Sequence, residues 1–584
     1  MAPFDRPVRI ANCSGFYGDR LSAAREMVLG GPIDVLSGDW LAELTMLILV
    51  RERMKSPEGG FARTFVKQVT DVLAAALDRG VRIVSNAGGV NPDGLGAAIA
   101  AVGVKLGRTP KIAIVDGDEV LGLVQGWNDR GELKHLERGA PLGPSDGMPM
   151  AANAYLGAWG IAEALRAGAD IVITGRVTDA ALVVGPAAWA HGWAVDAWDA
   201  LAGALVAGHI IECGAQATGG NYAFFEEVPG LEHPGFPIAE IAADGAAVIT
   251  KHPGTGGRVS VGTVTAQLLY EIGSPLYASP DVIARFETIR LEAEGPDRVA
   301  VRGVKGEPPT DRLKAGVLCM AGWRNEVTLQ VGGGSIPEKA ALLKRTFWAN
   351  VGGEERFQTT HTAVIRGDHP ETPPALRLSR VIFSARDPDR DKVGKAFASK
   401  AVELALCSVP GLTLEGLPED PRPVGVFWPC LVPRAEVPHR VRLGDQAWTP
   451  AEPPTAPWPA LAAAPAEPGV DTSAWTVEAP LGALAGARSG DKAGLANVGF
   501  WVRDPAHLGW LMATVTEANL RRWLGFEGPI RIWPLPNLLA INVELVGWLA
   551  DGVAGNLHPD PQAKCLAENL RGVTVPVDPR WLTR

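Results

Sequence analysis

Apolar and polar positions fall into two textures along this chain. From Val8 to about residue 255, short apolar runs rich in β-branched residues each end in Gly, Ser, Asn or Asp and give way to a helical stretch. The runs Val8–Ser14, Ile33–Asp39, Val81–Gly88, Lys111–Gly117 and Asp170–Arg176 predict strands, and Leu21–Leu29, Phe65–Arg79 and Ala151–Ala167 predict helices between them. Near-continuous apolar strands interleaved with amphipathic helices point to a parallel sheet buried on both faces, since a strand covered on one face alone would alternate. The expectation is a Rossmann-like, mostly parallel α/β domain over residues 1–258.

After Val259 the segments lengthen and alternate, as in Asp297–Lys305, Gly316–Val331 and Leu376–Ala385, with a helix predicted at Asp391–Leu406. This texture predicts an α+β domain over 259–447. The Pro- and Ala-dense stretch 448–474 lacks the apolar side chains that would order it and reads as an extended linker. Beyond it, 475–584 has the length of a small α+β domain with the order strand, strand, helix, strand, helix.

Composition narrows the partners. A net charge of −10 and a pI near 5.6 lack the basic footprint of a protein that coats phosphate backbones, so nucleic acid is excluded as the main partner. The six cysteines are scattered, with no CxxC pair, which suits a reduced compartment. No apolar run near the start is long enough for a signal peptide or a membrane span, so a cytoplasmic protein with no membrane partner is expected. The apolar content suits a homo-oligomer.

In a parallel sheet, ligands collect at the carboxyl ends of the strands, where loops and helix N-termini converge. After the first run, Asn12, Ser14 and Gly15 form a turn that either presents hydrogen bonds to a ligand or caps the next helix. No GxGxxG or GxxxxGK[ST] occurs there, so dinucleotide-binding and P-loop readings fail. Asp39 closes the second run with Glu43 one helical turn on, a pair suited to proton transfer, to a cation, or to an N-cap. After the third run, Asn86, Gly88, Gly89 and Asn91 can turn backbone N–H groups toward an oxyanion or phosphate. Asp116 and Asp118 follow the fourth as a cation pair or a solvated turn. Arg176 follows the fifth and either holds a carboxylate or phosphate or pairs with Asp179.

The densest polar run is Gly208 to Tyr222, which carries His209, Glu212, Cys213, Gly219, Gly220 and Asn221. His209 and Glu212 are proton-transfer groups, whereas Cys213, after two isoleucines, reads as an inert buried thiol. Lys251, with His252 and Arg258 around a Gly-rich turn, offers an anion cradle. In the final domain Arg488, Ser489, Asp491, Lys492 and Asn497 gather in one loop and Asn537 sits at a bend, as a domain interface ahead of a second site. The working assignment makes Asp39, Glu212 and His209 catalytic. The remaining candidates bind substrate, with no metal ligand set assigned.

The strings RIANCSGFYGDRLSAAREMV, IDVLSGDWLAELTM, RIVSNAGGVNP, VITGRVTDAAL, GHIIECGAQATGGN and HPGTGGRVSVGTVTAQLLYEIG closely resemble the N-terminal domain of the acyclic terpene utilisation (AtuA-type) family, over about Val8 to Leu443. ARSGDKAGLANVGFWVR and LPNLLAINVELVGWLADGV resemble the small ferredoxin-fold domain that follows in that family, with ANVG where a more polar run is expected. The resemblance implies a part in the breakdown of acyclic terpenoid and related branched acids through CoA thioesters. It supplies no residue roles. The reading is an enzyme acting on a branched acyl-CoA or its free acid by hydratase- or lyase-type proton transfer, with CoA present only as part of the substrate. Two alternatives stand beside it: a non-catalytic partner or scaffold among acyl-CoA carboxylase pathway proteins, and a metal-dependent hydrolase using Asp39, Asp116 and Asp118.

Overall fold

The structure is a computed structural model that describes residues 3–461 and 470–582. All five expected strands form, as Val8–Asn12, Val35–Gly38, Arg82–Ser85, Ile112–Asp116 and Ile171–Thr174. They are parallel, and the strand 171–174 lies between 82–85 and 112–116. Adjacent residues along each strand feed opposite cores. Ile10, Val35, Val84, Ala113 and Val172 pack with helices such as Trp159–Arg166 and Trp198–Ile211, while Ala11, Leu36, Ile83, Ile114 and Ile173 pack with Ala23–Gly30 and Arg63–Arg79. Both faces are covered, which is why the strands read as unbroken apolar runs.

The sheet is less parallel than expected. Among the described residues it has eleven strands, and antiparallel strands extend it on both edges. Pro237–Ile241, Ala247–Lys251, Arg298–Arg302 and Arg290–Gly295 continue one edge, and Arg440–Leu443 with Gln446–Trp448 continue the other. The sheet thus draws strands from both sides of residue 258, where the sequence texture changes. Hairpin returns such as the turn at Gly245 make these additions antiparallel.

The expected helix Ala151–Ala167 needs correction. Met148–Ala154 is a strand, paired antiparallel with Ala315–Met320 of the 21-residue strand Arg312–Gly332, and only Trp159–Arg166 is helical. Alanine favours helix by a few tenths of a kcal/mol per residue, and long-range pairing overrides so weak a preference. The long strand also pairs with Leu378–Asp387 and Arg422–Pro433, and the helices Ile336–Asn350 and Lys395–Glu403 pack on this second sheet.

Residues 449–461 have no regular secondary structure but are fastened down. The Ala451 amide donates to Glu163, and Glu452 pairs with Arg434 at 2.8 Å and His439 at 3.1 Å. Positions 462–469 of the expected linker lie outside the described residues. The last domain is a four-stranded antiparallel sheet in the order Ala485–Lys492, Leu495–Val502, Ala540–Leu545, Ile530–Leu535. Helices Leu508–Thr514, Glu517–Leu524 and Leu566–Arg571 accompany it. Among the described residues no helix is long and apolar enough to cross a membrane.

Candidate functional site

Parallel register brings the tips of the first, second, third and fifth strands to one rim. The Asp39 amide donates to the Ser14 carbonyl at 2.9 Å, and the Trp40 amide donates to Asn86 Oδ1 at 2.8 Å. Asn86 Nδ2 in turn donates to Asp39 Oδ1 at 2.6 Å, so the two strand tips hold each other. Asn12, Ser14 and Gly15 serve the scaffold of this rim. The Asn12 amide group bridges the Ser14 N–H and the Glu212 carbonyl, and the Ser14 hydroxyl donates to the Phe16 carbonyl. A Cβ on Gly15 would lie 2.5 Å from the Cys213 carbonyl carbon, so glycine lets the two segments meet.

Behind the rim charged side chains from several elements gather in a part-buried chamber, where Arg176 is buried and Asp179 keeps 33% of its side chain exposed. Arg176 donates through Nη1 to the Leu41 carbonyl at 2.7 Å, pairs with Asp179 at 3.0 Å, and stacks 4.1 Å from the Tyr155 ring centre. Burial works against its charge, yet Asp179, Tyr155, Asp39 and Glu43 together hold Arg176 above its usual value. Asp179 acts on Asp39, Glu212, Glu271 and Lys492 alike, which puts it at the electrostatic centre. Helix Trp198–Ile211 delivers His209, whose Nδ1 lies 3.1 Å from Glu212 Oε1 just past the helix end. The His209 ring is pinned against Tyr277, 4.9 Å between centres.

The remaining groups come from distant parts of the chain. Lys314, on the long middle strand, places Nζ 4.8 Å from the Tyr155 ring centre and 5.7 Å from that of Phe427. The small domain inserts the end of its first hairpin. Lys492 Nζ donates to the Glu271 carbonyl at 2.9 Å and lies 5.4 Å from the Tyr277 ring centre, while Ala493 turns the hairpin at φ 54°. Three asparagines dock this domain by gripping backbone. Asn497 accepts from the Glu271 amide and donates to Leu269, Asn542 donates to Ile272 and Gly273, and Asn537 donates to Phe286 and Ile289. Gly490 and Gly499 permit the close approach, since a Cβ on either would meet Tyr270 or Leu269 at 2.4 Å or 2.3 Å. The expected interface role of this loop is therefore joined by a direct contribution to the chamber, and Asn497 of ANVG is one of its docking residues.

Acids outnumber bases here, and burial sets their states. Desolvation lifts Asp39 and Glu212 well above the usual carboxyl range, with Asp179 adding to both, and raises Glu43 against the pull of Lys314 and Arg176. Burial also raises Glu271 to about 7 and depresses His209 to about 4, so the imidazole is neutral near pH 7. Lys314 and Lys492 are both lowered, first by burial and then partly by neighbouring cations. Glu43 Oε2, Arg176 Nε, Thr178 Oγ1 and Glu212 Oε2 have no hydrogen-bond partner among the described residues. Buried polar atoms are almost always satisfied, so a cluster of exceptions fits a place where a ligand's polar groups belong. Protonated acids facing ionised ones, beside fixed cations, can move a proton and balance a developing oxyanion.

Several predicted residues lie elsewhere or are engaged. The Gly89 amide donates to the Asn86 carbonyl, and the Gly219 and Gly220 amides donate to Gln216 and Ala215, so these N–H groups close turns and are not free for an oxyanion. Gly88 lies where a Cβ would meet the Thr174 carbonyl at 2.4 Å, and Asn221 is exposed with φ 56°. Lys251 is two strands away on the same rim, its ammonium taken by Asp297 at 3.0 Å and the Thr255 carbonyl at 2.7 Å. Cys213 is pushed well above the usual thiol value by burial, then by Glu212, and is no nucleophile in that state. Asp116 is held by Arg440 and Arg442, and Asp118 accepts from Asn153 and from the Arg176 amide. Among the described residues no group of three or more His, Cys, Asp or Glu is placed to hold a metal ion. Asp116, Asp118 and Asn153 instead line an open cleft of about 590 Å³, with Val50, Met54, Val90 and Met150 as its apolar wall. Lys314, Glu271 and Tyr155 carry no local sequence signal. Lys314 and Glu271 are single polar residues whose hydrogen-bond and ring contacts lie more than a hundred positions away, and Tyr155 meets Lys314 from as far off although Arg176 is nearer in the chain.

Fold and site together define a two-part α/β protein whose charged chamber needs both the strand tips of a large unit and a hairpin of a small one. Residues 8–443 match the model of the acyclic terpene utilisation family protein AtuA, and residues 479–576 match the AtuA ferredoxin-like domain. The first match covers well over half of the chain, which belongs to the acyclic terpene utilisation family, and membership implies involvement in that process. No curated protein and no solved structure matches the chain.

Proposed function

We propose that this protein is an enzyme of branched-chain, acyclic terpenoid acid breakdown that acts on an acyl-CoA or a related branched acid by hydratase- or lyase-type proton transfer. The observation that carries the reading is the chamber itself: Asp39 and Glu212, both lifted by burial, share it with Asp179, Arg176 and Lys492. Glu212, oriented by neutral His209, is the proton donor or acceptor with one oxygen still open, and Asp39 is the second such group. Arg176 and Lys492 would neutralise an enolate-like oxygen, the role first expected of the backbone N–H groups around Gly88 and Gly89. A metal-dependent hydrolysis through Asp116 has less support, because two guanidinium groups already hold that carboxylate.

The test is deuterium exchange in D2O, followed by NMR, with 3-methylcrotonyl-CoA and its free acid as probes. The protein is expected to bind one of them and to exchange or hydrate it, and Glu212→Gln to slow this by roughly 10²–10⁴-fold. If the intact protein neither binds nor turns over either probe, and cells carrying Asp39→Ala and Glu212→Ala keep full pathway function, the scaffold reading replaces this one.

A further inference from the structure

We propose that Lys314 is a nucleophilic amine that captures a ketone or aldehyde carbonyl as a Schiff base in this chamber. The inference deepens the reading above by adding a carbonyl compound to the substrate class, and it rests on that reading for its proton-transfer groups.

Lys314 is unlike the other cations of the site. Arg176 has Asp179 and the Leu41 carbonyl, and Lys492 has the Glu271 carbonyl. Lys251, outside the chamber, has Asp297 and Thr255. For Lys314 Nζ the described residues offer two aromatic faces, Tyr155 and Phe427, and no hydrogen bond or ion pair. Lys314 is part-buried, and an ammonium drawn partly out of water with only ring faces beside it is costly, of which cation–π contact recovers only about 0.5–2 kcal/mol. The neutral amine avoids most of the cost. Arg176, stacked on the same Tyr155 ring and held ionised by Asp179, adds like-charge repulsion that works in the same direction. A desolvated lysine beside a second fixed cation is an arrangement that makes an amine nucleophilic near neutral pH. The strand that carries it is pinned on both sides, by Met148–Ala154 and Arg422–Pro433, so the amine is held on a rigid element.

The step balances with groups already present. The Nζ lone pair attacks the carbonyl carbon, and the C=O π pair moves to oxygen. That oxygen takes a proton from the carboxyl of Glu43, the acid that acts most strongly on Lys314 and whose Oε2 has no other partner. The nitrogen loses a proton to the Glu43 carboxylate, which returns it to the hydroxyl. Water leaves as the nitrogen lone pair forms C=N, and the resulting iminium carries the one proton taken up overall. Addition of water reverses the sequence and releases the carbonyl compound with the free amine. No oxidant or reductant is needed.

The experiment treats the full-length protein with acetoacetate or 3-methylbutanal, adds sodium borohydride, and maps the reduced adduct by tandem mass spectrometry. The expected result is near-complete labelling of Lys314, background labelling of exposed lysines such as Lys305, and loss of the label in folded Lys314→Arg. Labelling of Lys314 no greater than that of exposed lysines overturns the proposal, as does an adduct on Lys492 instead. The mapping uses the unaltered chain, so it stands even if the variant does not fold. Failure here with intact deuterium exchange on the acyl thioester would remove the Schiff base and leave the proton-transfer reading in place.

Discussion

Two buried regions of this protein are built on opposite terms. Under the long middle strand, Phe347, Trp348, Phe357, Phe383 and Phe397 pack ring against ring, with the Phe347 and Phe383 ring centres 4.2 Å apart. Behind the strand tips, carboxyls and cations are buried with several polar atoms unmatched. The first region gains stability from dispersion and dehydration, the second gives some up by keeping ionisable groups out of water. Excess stability cost without structural benefit is what separates a functional centre from a core.

Substitutions can sharpen that contrast, beginning with the largest. Glu212→Gln should slow turnover by roughly 10²–10⁴-fold while leaving the melting temperature unchanged or higher, because it removes a carboxyl that Asp179 and Glu271 oppose. A marked fall in melting temperature would show the chamber to be structural. Phe347→Ala should do the reverse, costing about 3–5 kcal/mol in urea unfolding while the folded fraction keeps its ligand affinity. Asn497→Ala leaves the Glu271 amide without its acceptor and should weaken docking of the small domain by about 1–3 kcal/mol. Hydrogen exchange would then rise at residues 269–273 and turnover would drop as Lys492 withdraws, with the small domain's own core unchanged.

A smaller effect comes from pH. Burial raises Glu137 and Glu271 to about 7 and Asp491 to about 8, and all three meet at the docked hairpin. Their folded values exceed the unfolded ones, so the folded state holds protons that the unfolded chain has released, and stability falls as pH rises toward the folded values. His209, lowered to about 4, works the other way only below pH 6.5, and Lys564, lowered to about 8, only above pH 8. Between pH 6.5 and 8 the melting temperature should drop by a few degrees, and Asp491→Asn should flatten the slope. An unchanged slope would place the hairpin's acids in a more solvated setting.

How much of this is legible in the sequence depends on how far apart the partners lie. The five parallel strands and their polar tips are visible because burial on both faces writes a local signal. Asp39, Arg176 and Asp179 follow from the rule that strand ends gather ligands, His209 and Glu212 from the density of polar residues between Gly208 and Tyr222, and the chamber unites them. Glycine pairs mislead, since Gly89, Gly219 and Gly220 turn their amides inward to close turns. The alanines of Met148–Ala154 conceal a strand whose partner is more than 150 residues on. Lys314 and Lys492 become site residues only through tertiary contact, which no local period records.

The docking asparagines have one more consequence. The contacts that bring Lys492 into place combine hydrogen bonds to backbone with a small apolar patch, Trp501, Leu535, Leu538 and Ala540, set into the core of the large unit. Because both halves share one chain, they meet at an effective concentration on the order of millimolar, and weak adhesion suffices. Cutting the chain between the halves would make assembly depend on dilution: function would vanish in dilute solution and return when the fragments are mixed at high concentration.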